Sequence, residues 1–435
     1  MMHGMGGDRG ARRQRSSRHH PHRAVLHGFG YFRRLGPGFI TGAADDDPAG
    51  IATYSQVGSS FRFDLVWMAP LSLPLASAVQ ETAARLGLAS GRGLMALIKE
   101  RFPRPVLWLA VVLVVAANTF NIGADLGSMA ASFRLLVPLP FAVLVIAFAA
   151  IILGLEAFIS YERYSLILRW LALSIVAYVI ELFLIHVDWV EVARGLVPTF
   201  RSGAGYVEAI VAIFGTTISP YCFVWQAGEE VEERKAGRIG RVDAKELRLM
   251  RFDVISGMTA GVIVMFAIMV TSASTLGASR VGEIHTAAQA ARALEPLVGR
   301  FASTLFAAGV VGTGLLAVPT LAGSAAYAFA EAAGWKEGLG RKLSDARAFY
   351  GVIAVSMIVG VGQNFVGIDP IRALYLSAIL NGIAAPPLIL MMLVLSNSAA
   401  VGRHRGGRLS DALVAITFLV MTAAAVAFVA GLVIG

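Results

Sequence analysis

The chain has 435 residues, 57% of them hydrophobic and 15% charged, with a formal net charge of +9. Soluble domains carry about a quarter charged residues, so this composition excludes an ordinary multidomain soluble enzyme and points to one integral membrane protein. The single cysteine, Cys222, excludes an intrachain disulfide framework and a cysteine-cluster metal site.

The chain opens with a head, residues 1–34, that is rich in Arg and His. It lacks the apolar core of a secretory signal and reads as a disordered cytosolic tail. After it come about eleven stretches apolar and long enough to cross a bilayer as helices. They lie near residues 36–57, 63–88, 104–133, 138–159, 164–187, 206–228, 253–276, 301–333, 347–366, 371–396 and 411–434. With the N-terminus inside, most of the 37 Lys and Arg fall in cytoplasmic segments, the bias that sets membrane orientation. The heaviest such loop runs from Glu229 to Asp253. The positive charge is therefore a topology signal and implies no nucleic-acid partner. The expected location is the plasma (inner) membrane, multi-pass, with a cytosolic N-terminus.

The first span contains AADDDPAGIATYSQ, Ala43 to Gln56. Each aspartate facing lipid at mid-bilayer costs about 2.5 to 3.5 kcal/mol on insertion scales, so Asp45, Asp46 and Asp47 must face protein or water. Pro48 breaks the helical hydrogen-bond ladder, while Gly42 and Gly50 allow the chain to leave helical dihedrals. Two half-helices joined by an unwound turn are expected here.

The sixth span repeats the device: in FGTTISPYCFVWQAGEE, Phe214 to Glu230, Gly215 and Pro220 interrupt an apolar run. Breaks at matching positions in spans one and six are the signature of two five-helix repeats of opposite topology, with substrate bound at mid-membrane between the unwound segments. Residues 35–190 form the first expected repeat, 205–397 the second, and 410–435 an additional C-terminal helix. Unwinding frees carbonyls, and those of Ala44 and Thr216, one turn before each break, are expected to face a cavity beside the Asp47 carboxylate. Oxygen ligands of this kind suit a hard divalent cation.

Other polar residues carry less. Cys222 is more readily a packing residue than a ligand. Asn381, in the tenth span, fits interhelical hydrogen bonding as well as water-mediated ion contact. Glu229, Glu230, Glu232 and Glu233 are expected to pair with nearby arginines, and Glu81 with Arg85 as an ordinary ion pair.

The run GPGFITGAADDDPAGIAT resembles the first transmembrane helix of the Nramp family of divalent metal transporters, whose motif there is Asp-Pro-Gly-Asn. GTTISPYCFVWQ resembles that family's sixth helix, whose motif is Met-Pro-His. Weaker likenesses, at Gly312 to Trp335 and Leu374 to Asn397, extend the resemblance over about residues 34 to 396. It implies an all-α polytopic protein with the leucine-transporter-like inverted-repeat fold, moving a divalent metal into the cytosol as cargo, with no resident cofactor. By this resemblance Asp47 matches the metal-binding aspartate, Pro48 the helix-breaking proline, and Ala44 and Thr216 the carbonyl donors. Gly50 stands where the family has asparagine, Ser219 where it has methionine, and Tyr221 where it has histidine.

A thioether favours transition metals, and a hydroxyl at Ser219 removes that preference. With Gly50 enlarging the cavity, a partly hydrated hard ion such as Mg²⁺ or Mn²⁺ is expected, with Fe²⁺ next. Proton coupling stays open. Gln226 replaces the family's second histidine on the sixth helix, and Asn121 and Ala124 fall at its acidic positions on the third, with Asp125 displaced by one. Either Asp45, Asp46 or Asp125 carries the proton, or transport is uncoupled.

An amino-acid or small-cation symporter of the same fold is the first alternative. Three acids at the unwound turn would repel a substrate carboxylate. An intramembrane aspartyl protease, using Asp47 and Asp125, leaves both helix breaks without a purpose, so no enzymatic activity is expected. The expected partners are a divalent cation, the lipid bilayer and, if coupled, protons.

Overall fold

In a bilayer each backbone amide must find its acceptor within its own segment, and the chain meets this demand with helices. The computed structural model describes residues 36–158, 179–180, 182–201, 203–235, 237, 242–279, 282–295 and 299–434, and these contain no strand. The expected basic tail, 1–34, and most of the expected span 164–187 lie outside the described residues.

The first expected span is two helices, α1 (Pro37–Asp45) and α2 (Pro48–Phe61). They are followed by α3 (Met68–Ser90), the short α4 (Leu94–Arg101), α5 (Arg104–Phe133), α6 (Phe141–Phe158) and the short α7 (Trp189–Gly195). The sixth expected span is likewise divided, into α8 (Ala204–Thr217) and α9 (Pro220–Lys235). Then come α10 (Ala244–Ser272), the short α11 (Ala287–Ala291), α12 (Ala302–Ala333), α13 (Arg347–Gln363), α14 (Pro370–Ser396) and α15 (Arg408–Ile434).

Among the described residues, 6 helical stretches are long and apolar enough to cross a membrane, the α8–α9 pair counting as one, and α6 and α13 contain shorter apolar runs. The halves α1 and α2 are each too short for that criterion, a direct result of the break at Asp46. α3 has the length but carries Gln80, Glu81 and Arg85, all buried.

Proline placement explains the helix starts. Pro48 and Pro370 occupy first-turn positions, where a missing N–H costs nothing. Asp369 caps α14 by accepting from Ile371 N at 2.9 Å.

Packing is reciprocal between the two halves. α3 lies against α9, while α10, its counterpart by order, lies against α1 and α2. α5 packs on α12, α13 and α14, and α8 on α14. Beside both breaks backbones come close enough to require glycine: a Cβ on Gly42 would overlap the backbone of Gly257, and one on Gly215 that of Ala378 and Gly382. Close approach of this kind is how membrane helices gain van der Waals contact without a hydrophobic driving force. Both crossings flank a helix break and hold it in place.

Candidate functional site

At the first break α1 ends with Asp45, and Asp46 leaves helical geometry at φ −83°, ψ 50°. Asp47 is extended, φ −70°, ψ 175°, and serves as N-cap of α2: its Oδ1 accepts from Gly50 N at 2.8 Å. Its Oδ2 accepts from Asn121 Nδ2 on α5 at 3.0 Å. Two fixed donors thus orient one carboxylate that is only 3% exposed.

At the second break α8 ends at Thr217 and α9 starts at Pro220. The Ser219 hydroxyl lies 2.7 Å from Gly215 O and 2.8 Å from Thr216 O, closing the end of α8 upon itself. Tyr221 reaches across to α1 and donates to Ala44 O at 2.8 Å. This corrects the expectation that unwinding leaves the Ala44 and Thr216 carbonyls free. Each has a hydroxyl partner supplied by the other break or its own, as a buried carbonyl demands.

The two breaks face each other. A Cβ on Gly50 would come within 3.3 Å of Thr216 Cγ2 and 3.4 Å of Asp45 O. Tyr54 OH and Thr217 Oγ1 are 3.1 Å apart. Asp47, Ala44, Gly50, Thr216, Ser219 and Tyr221 are therefore neighbours around one junction.

The three consecutive acids fan out to three helices. Asp47 turns to α5 through Asn121. Asp45 turns to α9, where the Cys222 thiol is 3.4 Å from its Oδ1. Asp46 turns to α10, where a Cβ on Gly261 would lie 3.5 Å from its Oδ2. Among the described residues no ion pair includes any of them. Burying an unpaired carboxylate costs several kcal/mol, and a cation at this junction would offset a cost that the described residues do not.

No group of three or more His, Cys, Asp and Glu able to hold a metal occurs among the described residues. The fan explains why: the carboxylates diverge, and a cation here would take one carboxylate, Asp47, with neutral oxygens from Ser219, Tyr221, Ala44 and Thr216. The α1 and α8 carboxyl ends also point their negative dipole ends at the junction.

The remaining expected residues fall around this centre. Gln226 accepts from Thr41 Oγ1 at 2.7 Å and donates to Glu230 Oε1 at 3.0 Å, tying α9 to α1. Asp125 is fully buried on α5, one turn beyond Asn121, and Asn381 is buried on α14. Cys222 packs directly on Asp45. Glu81 pairs with Arg85 as expected, and also with Arg251 at 2.6 Å. Within the acidic run at the end of α9, Glu230 and Glu232 depart from the expected arginine pairing among the described residues. Glu230 bonds Gln226, and Glu232 accepts from Tyr327 OH and from Leu339 N and Gly340 N. Backbone amides of the 339–340 turn, at 2.8 and 3.1 Å, are partners of Glu232 among the described residues, and no described guanidinium pairs with it.

Two residues of the site escaped notice in the sequence, Thr41 and Gln80 beside Gln226, and Asn121, noted only as standing at an acidic position, holds Asp47. Gln80 Nε2 donates to Cys222 O at 3.0 Å. Their signal was a polar side chain in the middle of an apolar span. A cavity of about 380 Å³, lined by Gln56, Glu208, Glu283, Arg372 and Tyr375, runs down to Ala52 on α2.

Comparison with known proteins identifies the family and the fold. The family described as natural resistance-associated macrophage protein-like, Nramp, matches residues 38–431. A divalent metal cation transporter, MntH, of Deinococcus radiodurans is 30% identical over 304 residues, covering 66% of this chain and 67% of its own. The MntH of Caldanaerobacter subterraneus is 27% identical and covers 85% of each chain. Among solved structures, the Eremococcus coleocola manganese transporter superposes with a TM-score of 0.71 at 20% identity, over 92% of this chain and 87% of that one. Mhp1, a nucleobase-cation-symport-1 family transporter, superposes at 0.58 with 15% identity, over 91% of each. The last two likenesses concern the fold alone.

Proposed function

Because the chain belongs to the Nramp family, we propose that it carries divalent metal cations across the membrane by alternating access, with the ion held at Asp47. The observation that carries this reading is the meeting of two helix breaks around one buried, doubly hydrogen-bonded carboxylate. Asp47 supplies the charged ligand, and Ser219 and Tyr221 supply hydroxyl oxygens. Ala44 and Thr216 offer carbonyls once their hydroxyl partners rotate, and Gly50 leaves room for a retained water. Asp45 and Asp46 form the surrounding negative layer. Pro48 and Pro220 keep both turns unwound.

The MntH relatives are divalent metal cation transporters by name, and the Eremococcus relative a manganese transporter. This donor set contains oxygen and no thioether, so the favoured cargo is Mn²⁺ or Mg²⁺, with Fe²⁺ behind them. The repeats are taken as 35–190 and 205–397, with 410–435 as an added helix. The bias of Lys and Arg toward alternate loops supports a cytosolic N-terminus, and the plasma (inner) membrane is the location taken.

Uptake of Mn²⁺, Mg²⁺, Fe²⁺ and Cd²⁺ into proteoliposomes, native chain against Asp47→Asn, tests the reading. Saturable Mn²⁺ or Mg²⁺ uptake lost in the variant supports it; uptake of Cd²⁺ with none of Mg²⁺ or Mn²⁺ overturns the hard-ion assignment. A pH dye in the same vesicles separates proton-coupled from uncoupled flux. An amino-acid or other small-cation symporter is the second reading, since fold alone does not choose the substrate. The three acids weigh against an anionic substrate.

A further inference from the structure

One face of α5 carries Asn118, Asn121, Asp125 and Met129, all fully buried. Asn118 Nδ2 donates to Leu321 O on α12 at 3.1 Å, and Asn121 Nδ2 holds Asp47. Met129 fills the space that a Cβ on Gly314 would need, where Pro48 Cγ also lies within 3.4 Å. This face is thus pressed between the start of α2 and the middle of α12.

On it, Asn121 Oδ1 and both carboxylate oxygens of Asp125 have no hydrogen-bond partner among the described residues. Residues four apart on a helix are neighbours, with Cβ atoms about 5 to 6 Å apart. The three oxygens therefore belong to one patch. Each buried acceptor without a donor costs about 1 to 3 kcal/mol, and an ionised carboxylate more. Acceptor-only oxygens in one place are the donor set of a hard cation.

We propose that Asp125 and the Asn121 amide oxygen form a second cation position that takes Na⁺, one helical turn along α5 from the Asp47 ion. A second divalent ion is disfavoured there. It would stand close to the first with four times the repulsion of two unit charges, and only one carboxylate balances it. Na⁺ matches that single charge and completes its shell with water. K⁺ is larger and asks for more oxygens than this patch holds.

The amide of Asn121 links the two positions. It is a rigid plane whose Oδ1 faces the monovalent ion while its Nδ2 holds Asp47 Oδ2. Na⁺ on one side therefore fixes the orientation of the divalent ligand on the other, and by linkage each ion tightens the other. This coupling rests on the assignment of the divalent ion to Asp47; the Na⁺ position itself does not.

The full-length protein in detergent, at fixed pH and ionic strength, is compared in NaCl, KCl and choline chloride. Without divalent metal, NaCl is expected to raise the melting temperature of the native chain relative to choline, as a ligand of the folded state does. With Mn²⁺, NaCl is expected to tighten binding by about fivefold or more, the ordinary range of such coupling. Asp125→Asn is expected to lose both Na⁺ responses while still binding Mn²⁺ in choline, which also shows that it folds. Should it fail to fold, Asn121→Ala carries the same prediction for the Na⁺ effect on melting. No Na⁺ response in the native chain, an equal response to K⁺, or a response that survives in Asp125→Asn overturns the proposal. Absence of Mn²⁺ binding by the native chain in every salt would instead count against the divalent site at Asp47, with the melting experiment still deciding the Na⁺ position.

Discussion

The two helix breaks are made by the same residues and do different work. In each, a proline starts the outgoing half and Asp46 or Ile218 leaves helical geometry before it; the glycines expected to unwind the chain, Gly42, Gly50 and Gly215, stay helical, and Gly42 and Gly215 serve close approach of a neighbouring backbone. The α1–α2 break carries three carboxylates, one of which caps the outgoing helix. The α8–α9 break carries none: Ser219 turns back on Gly215 and Thr216, and Tyr221 crosses to Ala44. One break concentrates charge and the other satisfies carbonyls with neutral hydroxyls. Pseudo-symmetry of the backbone therefore does not extend to the chemistry, and the proposed cation site draws on both halves.

This asymmetry can be broken from either side. Asp47→Asn keeps an N-cap oxygen for Gly50 N but removes the charge. Divalent uptake in proteoliposomes is expected to fall to the level of empty vesicles, whereas Ser219→Ala should leave measurable flux. Equal loss in both variants would mean that the two breaks share the charge-binding work after all.

Ser219→Met moves a soft donor into the neutral break. The ratio of Cd²⁺ to Mg²⁺ uptake is expected to rise about tenfold, equivalent to about 1.4 kcal/mol of differential binding. An unchanged ratio would place residue 219 outside the ion's reach.

Tyr221→Phe deletes the hydroxyl that crosses to the Ala44 carbonyl and leaves that carbonyl without it. A loss of about 1 kcal/mol in stability is expected, read as a lower melting temperature in detergent. Added Mn²⁺ should recover part of that loss by taking up the carbonyl. Smallest of all, Cys222→Ser replaces a thiol against Asp45 with a hydroxyl of similar size. Mn²⁺ uptake should stay within about twofold of the native chain, a shift of roughly 0.4 kcal/mol, and a large loss would promote Cys222 to a ligand.

Much of the architecture was legible in the letters because lipid imposes a coarse rule. Apolar runs of helical length, prolines at the interruptions and acids that lipid would reject were enough to place both breaks within a residue or two. Span 63–88 shows where hydropathy thins: α3 buries Arg85 by its pair with Glu81, and Gln80 and Glu81 by pairing them with residues far along the chain, Cys222, Arg251 and Ser410. Such partners are invisible to a local window. Nor did the letters show that Glu232 would cap the 339–340 turn instead of meeting an arginine.

What the sequence determined by itself was that three acids, a proline and flanking glycines in an apolar span must make a protected, unwound turn, and that a second such turn lies in the sixth span. The cost of charge and of unpaired amides in lipid leaves no other solution. What only the tertiary structure decided was direction. Consecutive side chains at a helix break leave the backbone at angles set by local dihedrals, so Asp45, Asp46 and Asp47 reach α9, α10 and α5, and only Asp47 is held at the junction by two donors. The same packing puts hydroxyls on the carbonyls expected to be free, and leaves Asn121 and Asp125 with oxygens that nothing in the described protein satisfies.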